Sequence, residues 1–429
     1  MRVAVVGLWH LGTVIAACLG KAGHEVVGID EDRGVIADLV LGKPPVFEPG
    51  LEETCKAGVQ AGRLRFSSDF ASAADAELVW ITYDTPVDDQ DRADTDFVQQ
   101  KIHNILAHLQ PDTMVLISSQ VPVGFTSRLI EHAQKAHPKK GLLFGYSPEN
   151  LRIGKAISVF TKPDRVVVGI SSEKARLKVI DLFAPFTDNI VWMGIESAEM
   201  TKHALNAFFA LSISFINEIA TVCEQVGADA KEVERGLKSE ERIGPKAYLG
   251  PGAAFAGGTL ARDVEFLTQL SSQHGLKTPI LSAVRVSNEE HKGWAARRLH
   301  QKLTDLDGKF IAVLGLTYKP GTDILRRSSA VELCEWLARQ GSIVQAHDPA
   351  ISALPTDAHS GIHLKSTARE ALQGAQALVV ATEWPEFRDI SAEQLITWMQ
   401  RPLVLDANAF LSKSLGSEKK IDYFAVGKP

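Results

Sequence analysis

The sequence predicts an α/β protein: two doubly wound, Rossmann-like domains joined by a long central helix and a small helical region. Three observations predict it. The β-branched run Arg2–Val6 leads into Gly7, Gly12 and a helical stretch; the same order begins again near Lys309; and the 32 residues between Gly194 and Gly227 contain neither Gly nor Pro. A strand that ends in a glycine turn and feeds a helix is the opening of a parallel βαβ unit.

Taken in order, Arg2–Val6 reads as a strand buried on both faces, Thr13 to Lys21 as its helix, and Val26 to Asp30 as the next strand. Apolar runs at Leu78 to Thr82, Met114 to Ser118 and Arg165 to Ile170 supply further strands. Between Gly194 and Gly227, Ala204, Phe208, Leu211, Phe215 and Ile219 recur at helical spacing. A helix of that length spans roughly 48 Å at 1.5 Å per residue, so it should link lobes or pack against a partner subunit. A second helical stretch runs from Pro279 to Leu303. After it come the strand Lys309 to Leu314, a helix from Ser329 to Gln340, a strand from Ser342 to Ala346, and strands at Ala377 to Thr382 and Leu403 to Asp406. The expected domains are residues 1–195, 196–303 and 304–429.

Composition narrows the function. A chain of 429 residues exceeds one ordinary core, and 45% hydrophobic with 23% charged residues excludes a disordered or collagen-like chain. The net charge of −6 lacks the basic excess of a nucleic-acid or anionic-membrane surface. Small-molecule chemistry is expected instead. The start has no signal-peptide core and the longest apolar stretches look strand-sized, so a cytoplasmic protein outside the membrane is expected. Cys18, Cys55, Cys223 and Cys334 show no CxxC spacing, which argues against a disulfide framework or a zinc site and for buried small hydrophobes.

Gly7-Leu-Trp-His-Leu-Gly12 is the candidate dinucleotide turn, with Trp9 at the second glycine position and His10 and Leu11 behind it. An α/β packing turn is the alternative, and the side chains of Trp9 and His10 suit turn or packing roles. Asp30 stands where a ribose hydroxyl needs an acceptor, and its charge favours NAD over NADP. The second turn, Gly315-Leu-Thr-Tyr-Lys-Pro320, has no such glycine pattern and need not hold a second dinucleotide.

Further segments then take effect together: Gly42-Lys-Pro-Pro-Val-Phe-Glu-Pro-Gly-Leu51, Val121-Pro-Val-Gly124, Ser147-Pro-Glu-Asn-Leu-Arg152, Pro163-Asp-Arg-Val-Val-Val-Gly169, Ala198-Glu-Met-Thr-Lys-His-Ala-Leu-Asn206, Leu314-Gly-Leu-Thr-Tyr-Lys319 and Thr382-Glu-Trp384. In this order the chain resembles the UDP-glucose/GDP-mannose dehydrogenases from its first strand to Asp406. The resemblance implies an NAD-binding N-terminal domain, a helical dimer-forming middle and a C-terminal domain that helps hold the sugar nucleotide. Members of that family oxidise a primary sugar alcohol in two hydride transfers and hold the aldehyde on a cysteine.

By the same resemblance, Glu149, Lys202, Asn206 and Asp263 fall on the family's catalytic positions, and Thr259 stands where its cysteine should be. A threonine hydroxyl ionises far less readily than a thiol of pKa about 8.5. Thr85, Gln120, Arg262 and Arg326 map to the cofactor region, alongside Gly7, Trp9, His10, Leu11, Gly12 and Asp30. Leu151, Arg152, Arg242, Tyr248, Gly252, Phe255 and Lys319 map to the substrate region, Arg242 being contributed by a partner subunit. No metal site is indicated. Gln120, Asp84, Ile153 and Asp406-Ala-Asn-Ala409 depart from the family pattern, the last by losing an arginine. Two readings follow: an NAD-dependent nucleotide-sugar oxidoreductase that, lacking the thiol, carries out one two-electron oxidation or a second through a hydrated aldehyde rather than a thioester, or a sugar-nucleotide-binding or regulatory paralogue.

Overall fold

A computed structural model describes residues 1–86, 93–149, 151–256, 258–355 and 358–428. Asn150, a member of one motif above, and Gly257, two residues before Thr259, lie outside the described residues. The chain divides into two compact units, Met1–Ala204 and Leu205–Pro429.

The first unit is built on eight strands: β1 (Arg2–Val6), β2 (Glu25–Ile29), β3 (Leu64–Ser67), β4 (Leu78–Ile81), β5 (Met114–Ile117), β6 (Leu143–Tyr146), β7 (Val166–Ile170) and β8 (Ile190–Met193). Their order in the sheet is β3-β2-β1-β4-β5-β6-β7-β8. All neighbours run parallel except β6 and β7. Helices cover both faces: Val3 and Val5 pack into one apolar cluster, Ala4 and Val6 into the other. Each buried valine of this kind contributes roughly 1.5–3 kcal/mol. The strand order reverses between β1 and β4, and ligands of doubly wound folds bind at such a switch point.

The second unit carries β9 (Phe310–Leu314), β10 (Ile343–His347), β11 (Ile362–Leu364), β12 (Ala377–Val380), β13 (Leu403–Asp406) and β14 (Asp422–Phe424). They form one parallel sheet in the order β11-β10-β9-β12-β13-β14. Ile311 and Val313 of β9 face one cluster, Ala312 and Leu314 the other. The same switch-point topology is thus laid down twice.

The long helix is present as Ile195–Val226. By length and composition it is apolar enough to cross a bilayer, which corrects the expectation that no segment is. Its buried face nevertheless carries Glu199, His203, Asn206 and Asn217, each hydrogen-bonded to protein. Polar groups buried and satisfied in this way belong to a core helix of a globular fold. A second correction concerns Pro279 to Leu303. It is two helices, Pro279–Lys292 and Trp294–Leu303, broken at Gly293, the residue in the interior of that stretch with the weakest helix propensity.

Candidate active site

The glycine turn follows β1, and steric contacts fix its composition. Gly7 has φ +95, and a Cβ there would lie 2.8 Å from the backbone of Tyr83. At Gly12 a Cβ would overlap the carbonyl oxygen of Gly7. Trp9 differs: its φ of −76 and ψ of −152 suit any residue, so a side chain is tolerated at this position. The indole is half exposed and lines a cavity of about 330 Å³ together with Gly7, Asp30 and Tyr83. Asp30 is anchored by backbone, accepting the N–H of Leu8 at 2.7 Å and of Asp32 at 3.0 Å. Helix His10–Lys21 starts directly from the turn, so its unpaired N-terminal N–H groups suit a pyrophosphate. The residues present fit a dinucleotide.

Beside this turn, Thr85 donates its hydroxyl to the carbonyl oxygen of Gln120 at 2.6 Å, tying the ends of β4 and β5 together. The following Val121-Pro-Val-Gly124 motif is held by Glu199, a fully buried carboxylate that accepts the N–H of Gly124 at 2.6 Å and of Thr126 at 2.9 Å. One turn further along the long helix, Lys202 donates from Nζ to the carbonyl oxygen of Glu149 at 2.5 Å. Glu199 therefore anchors the helix beside Lys202, and Lys202 reaches the segment bearing Glu149.

In the second unit, Asn206 donates from Nδ2 to Oδ2 of Asp263, which is fully buried. Asp263 lies on the first turns of helix Thr259–Gln273, and Thr259 is that helix's exposed first residue. The chain approaches Thr259 through a loop pinned by four polar side chains. Asn217 accepts the N–H of Gly252 at 3.0 Å, and His291 donates to the carbonyl of Gly252 at 2.8 Å. Asn408 accepts the N–H of Ala253 at 2.7 Å. Asn288 holds both backbone groups of Phe255, at 3.0 and 2.8 Å. Burial lowers the pKa of His291, keeping the imidazole neutral. Such a loop is preorganised rather than shaped by its ligand.

The second glycine turn is arranged differently. Asp348 is buried, and its Oδ2 accepts from Leu316 N–H, Thr317 N–H and Trp384 Nε1 at 2.7, 2.9 and 3.0 Å. This carboxylate is buried, whereas Asp30 is half-buried and lines a cavity.

Comparison with known proteins accounts for both units. Residues 1–187 match the NAD binding domain of the UDP-glucose/GDP-mannose dehydrogenase family, residues 196–290 its central domain and residues 312–413 its UDP binding domain. The chain belongs to the UDP-glucose/GDP-mannose dehydrogenase family. It is 34% identical to a UDP-glucose 6-dehydrogenase of Pseudomonas aeruginosa, over 100% of this chain and 98% of the relative. It is 33% identical to one of Rhizobium meliloti, over the whole of both chains. A solved UDP-glucose dehydrogenase from Pyrobaculum islandicum superimposes with a TM-score of 0.86 at 29% identity, covering 100% of this chain and 98% of that one. NAD is the cofactor of this family of nucleotide-sugar dehydrogenases.

Within this family member, all four cysteines are buried and free. Cys18 and Cys55 belong to the core of the first unit, Cys223 and Cys334 to that of the second. Burial pushes the thiols of Cys18, Cys55 and Cys334 up to about 12, so they remain protonated at neutral pH.

The remaining expected positions differ in exposure. Leu11 and Leu151 are half-buried against the core of the first unit; Arg152 and Ile153 are exposed. Arg242 is exposed and pairs with Glu240 at 2.8 Å. Tyr248 is exposed, its ring 5.3 Å from that of Phe209. Lys319 is half-buried, Arg326 is exposed, and Arg262 sits beside Asp263 on the same helix. Glu48, Tyr83, Glu199, Asn217, Asn288, His291 and Asn408 were missed from sequence. Glu48, Glu199 and Asn408 lie inside quoted motifs, a signal that could have found them.

Proposed function

We propose that the protein oxidises a CH–OH group of a nucleotide sugar with NAD and stops after one two-electron step, without a thiol-bound intermediate. The observation that carries this reading is the burial of all four thiols, with Thr259 exposed at the position that the resemblance assigns to the nucleophile. A hydroxyl without a strong base beside it does not capture an aldehyde as a thiolate does. The aldehyde or ketone formed is then released, or hydrated, rather than held.

When bound, NAD supplies the hydride acceptor; Gly7, Trp9, His10, Leu11, Gly12, Asp30, Thr85, Gln120, Arg262 and Arg326 would hold it. Lys202 and Asn206 orient the reacting hydroxyl and stabilise the alkoxide as its proton leaves. Glu149 and Asp263 accept that proton directly or through water. Leu151, Arg152, Arg242, Tyr248, Gly252, Phe255 and Lys319 would bind the nucleotide sugar, the cations facing its diphosphate. The exposed Phe208, Phe215 and Val222 recur every seven residues on the long helix and support a homodimer or higher homo-oligomer through this face. We further propose domains at 1–195, 196–303 and 304–429 and a cytoplasmic location.

The rival reading is a sugar-nucleotide-binding or regulatory paralogue, favoured by Trp9, Gln120, Ile153 and Thr259. Retention of the buried Asn206–Asp263 pair favours the enzyme, because a binding module does not need a sequestered carboxylate beside its ligand. The test is incubation with NAD and UDP-, GDP- and dTDP-sugars while reduced cofactor is recorded. Turnover is expected with at least one sugar, and Lys202→Ala should lower kcat by about 10²–10³-fold. Tight sugar-nucleotide binding with no reduced cofactor would favour the regulator.

A further inference from the structure

His10 opens helix His10–Lys21, so its backbone N–H is among those that a pyrophosphate approaches. Its Nε2 lies 3.0 Å from Oε2 of Glu48. A carboxylate only accepts, so Nε2 carries the hydrogen and donates it. The side chain of Glu48 is 1% exposed, and its remaining capacity goes to two backbone groups of another segment. Gly154 donates its N–H to Oε2 at 2.7 Å, and Ala156 donates to Oε1 at 2.8 Å. A carboxylate so far from water depends on every donor it has. Moving the imidazole therefore moves the carboxylate, and with it the backbone from Leu151 to Ala156. That segment carries Leu151 and Arg152.

We infer that His10 and Glu48 form a relay that makes cofactor and nucleotide-sugar binding mutually reinforcing, with His10 as its positioning residue. The inference rests on the proposed ligands. A cofactor that settles against the start of the helix fixes the His10 ring, which fixes the Glu48 carboxylate and orders the 151–156 backbone. The effect is reciprocal, because the coupling free energy is shared by both ligands. His10 need not touch the reacting carbon for this.

The test uses the full chain with NADH and UDP-glucose, two reduced partners that do not react together. In the native protein UDP-glucose should tighten NADH binding by about tenfold, a coupling of ~1.4 kcal/mol. His10→Ala should reduce the enhancement to about twofold and lower the melting temperature by a few degrees, since a buried carboxylate loses a donor, and His10→Gln, which keeps a donor, should retain most of both. Hydrogen exchange at the amides of Gly154 and Ala156 should slow on addition of NADH to the native protein and not to His10→Ala. An enhancement in His10→Ala equal to the native one, or exchange at these amides indifferent to NADH, overturns the relay alone. Failure of the native protein to bind NADH overturns the cofactor reading and the relay with it.

Discussion

Replacing Asn288 by alanine should loosen the loop that leads to Thr259. The asparagine is 3% exposed and satisfies both the N–H and the carbonyl of Phe255. Each neutral hydrogen bond of this kind contributes about 0.5–1.5 kcal/mol net, and the orphaned backbone groups add a desolvation cost that the half-buried loop partly recovers from water. The expected loss is ~2 kcal/mol. In a unit of this size that corresponds to a fall of about 4–8 °C in the melting temperature. Function should suffer as well, since Gly252 and Phe255 stand on the loop: the KM for the nucleotide sugar should rise by about tenfold through lost preorganisation. Calorimetry and initial-rate kinetics on Asn288→Ala read both effects. A melting temperature and KM equal to native would refute the claim that the loop is held from the helix Pro279–Lys292.

Two further outcomes follow from burial. It lowers the pKa of His24, His103 and His291 below the usual imidazole range, and His132, stacked on His103 at 3.8 Å, lowers that of His103 further. The folded state then binds fewer protons than the unfolded state, so stability is full above the unfolded pKa of about 6.5 and falls as the pH drops below it. The urea midpoint should decline between about pH 7 and pH 5, and His103→Phe should flatten the decline; a flat native profile contradicts this. A disulfide reagent should find no reactive thiol in the native protein and four after denaturation, whereas one thiol modified at the rate of a free cysteine would refute the burial argument.

How much of this was legible in the sequence depended on how local each constraint is. The turn at Gly7 and Gly12 was readable because backbone sterics at φ > 0 and at a close approach admit little else. The long helix was readable because 32 residues lack Gly and Pro. Strands β3, β6, β8, β11 and β14 were not: β4, β5, β12 and β13 are as short but buried at every residue, whereas each of the missed strands has at least one residue that is not buried. Without a fully buried run, so few residues show no pattern, and pairing with a neighbouring strand defines them. The loop anchors were equally hidden. Asn217, Asn288, His291 and Asn408 reach it from 35, 33, 39 and 155 residues away, and a lone Asn on a helix reads as a solvated residue. Glu48 was visible as part of a motif, but its bonds to Gly154 and Ala156 span 106 and 108 residues, a contact that only the folded chain reveals.

Everything proposed about the chemistry turns on whether an aldehyde can be retained without sulfur. The measurement that addresses this most directly is the number of NADH molecules formed per nucleotide sugar consumed at complete conversion. One is the predicted result, and Thr259→Cys should raise it. Two NADH per sugar from the native protein would contradict the account.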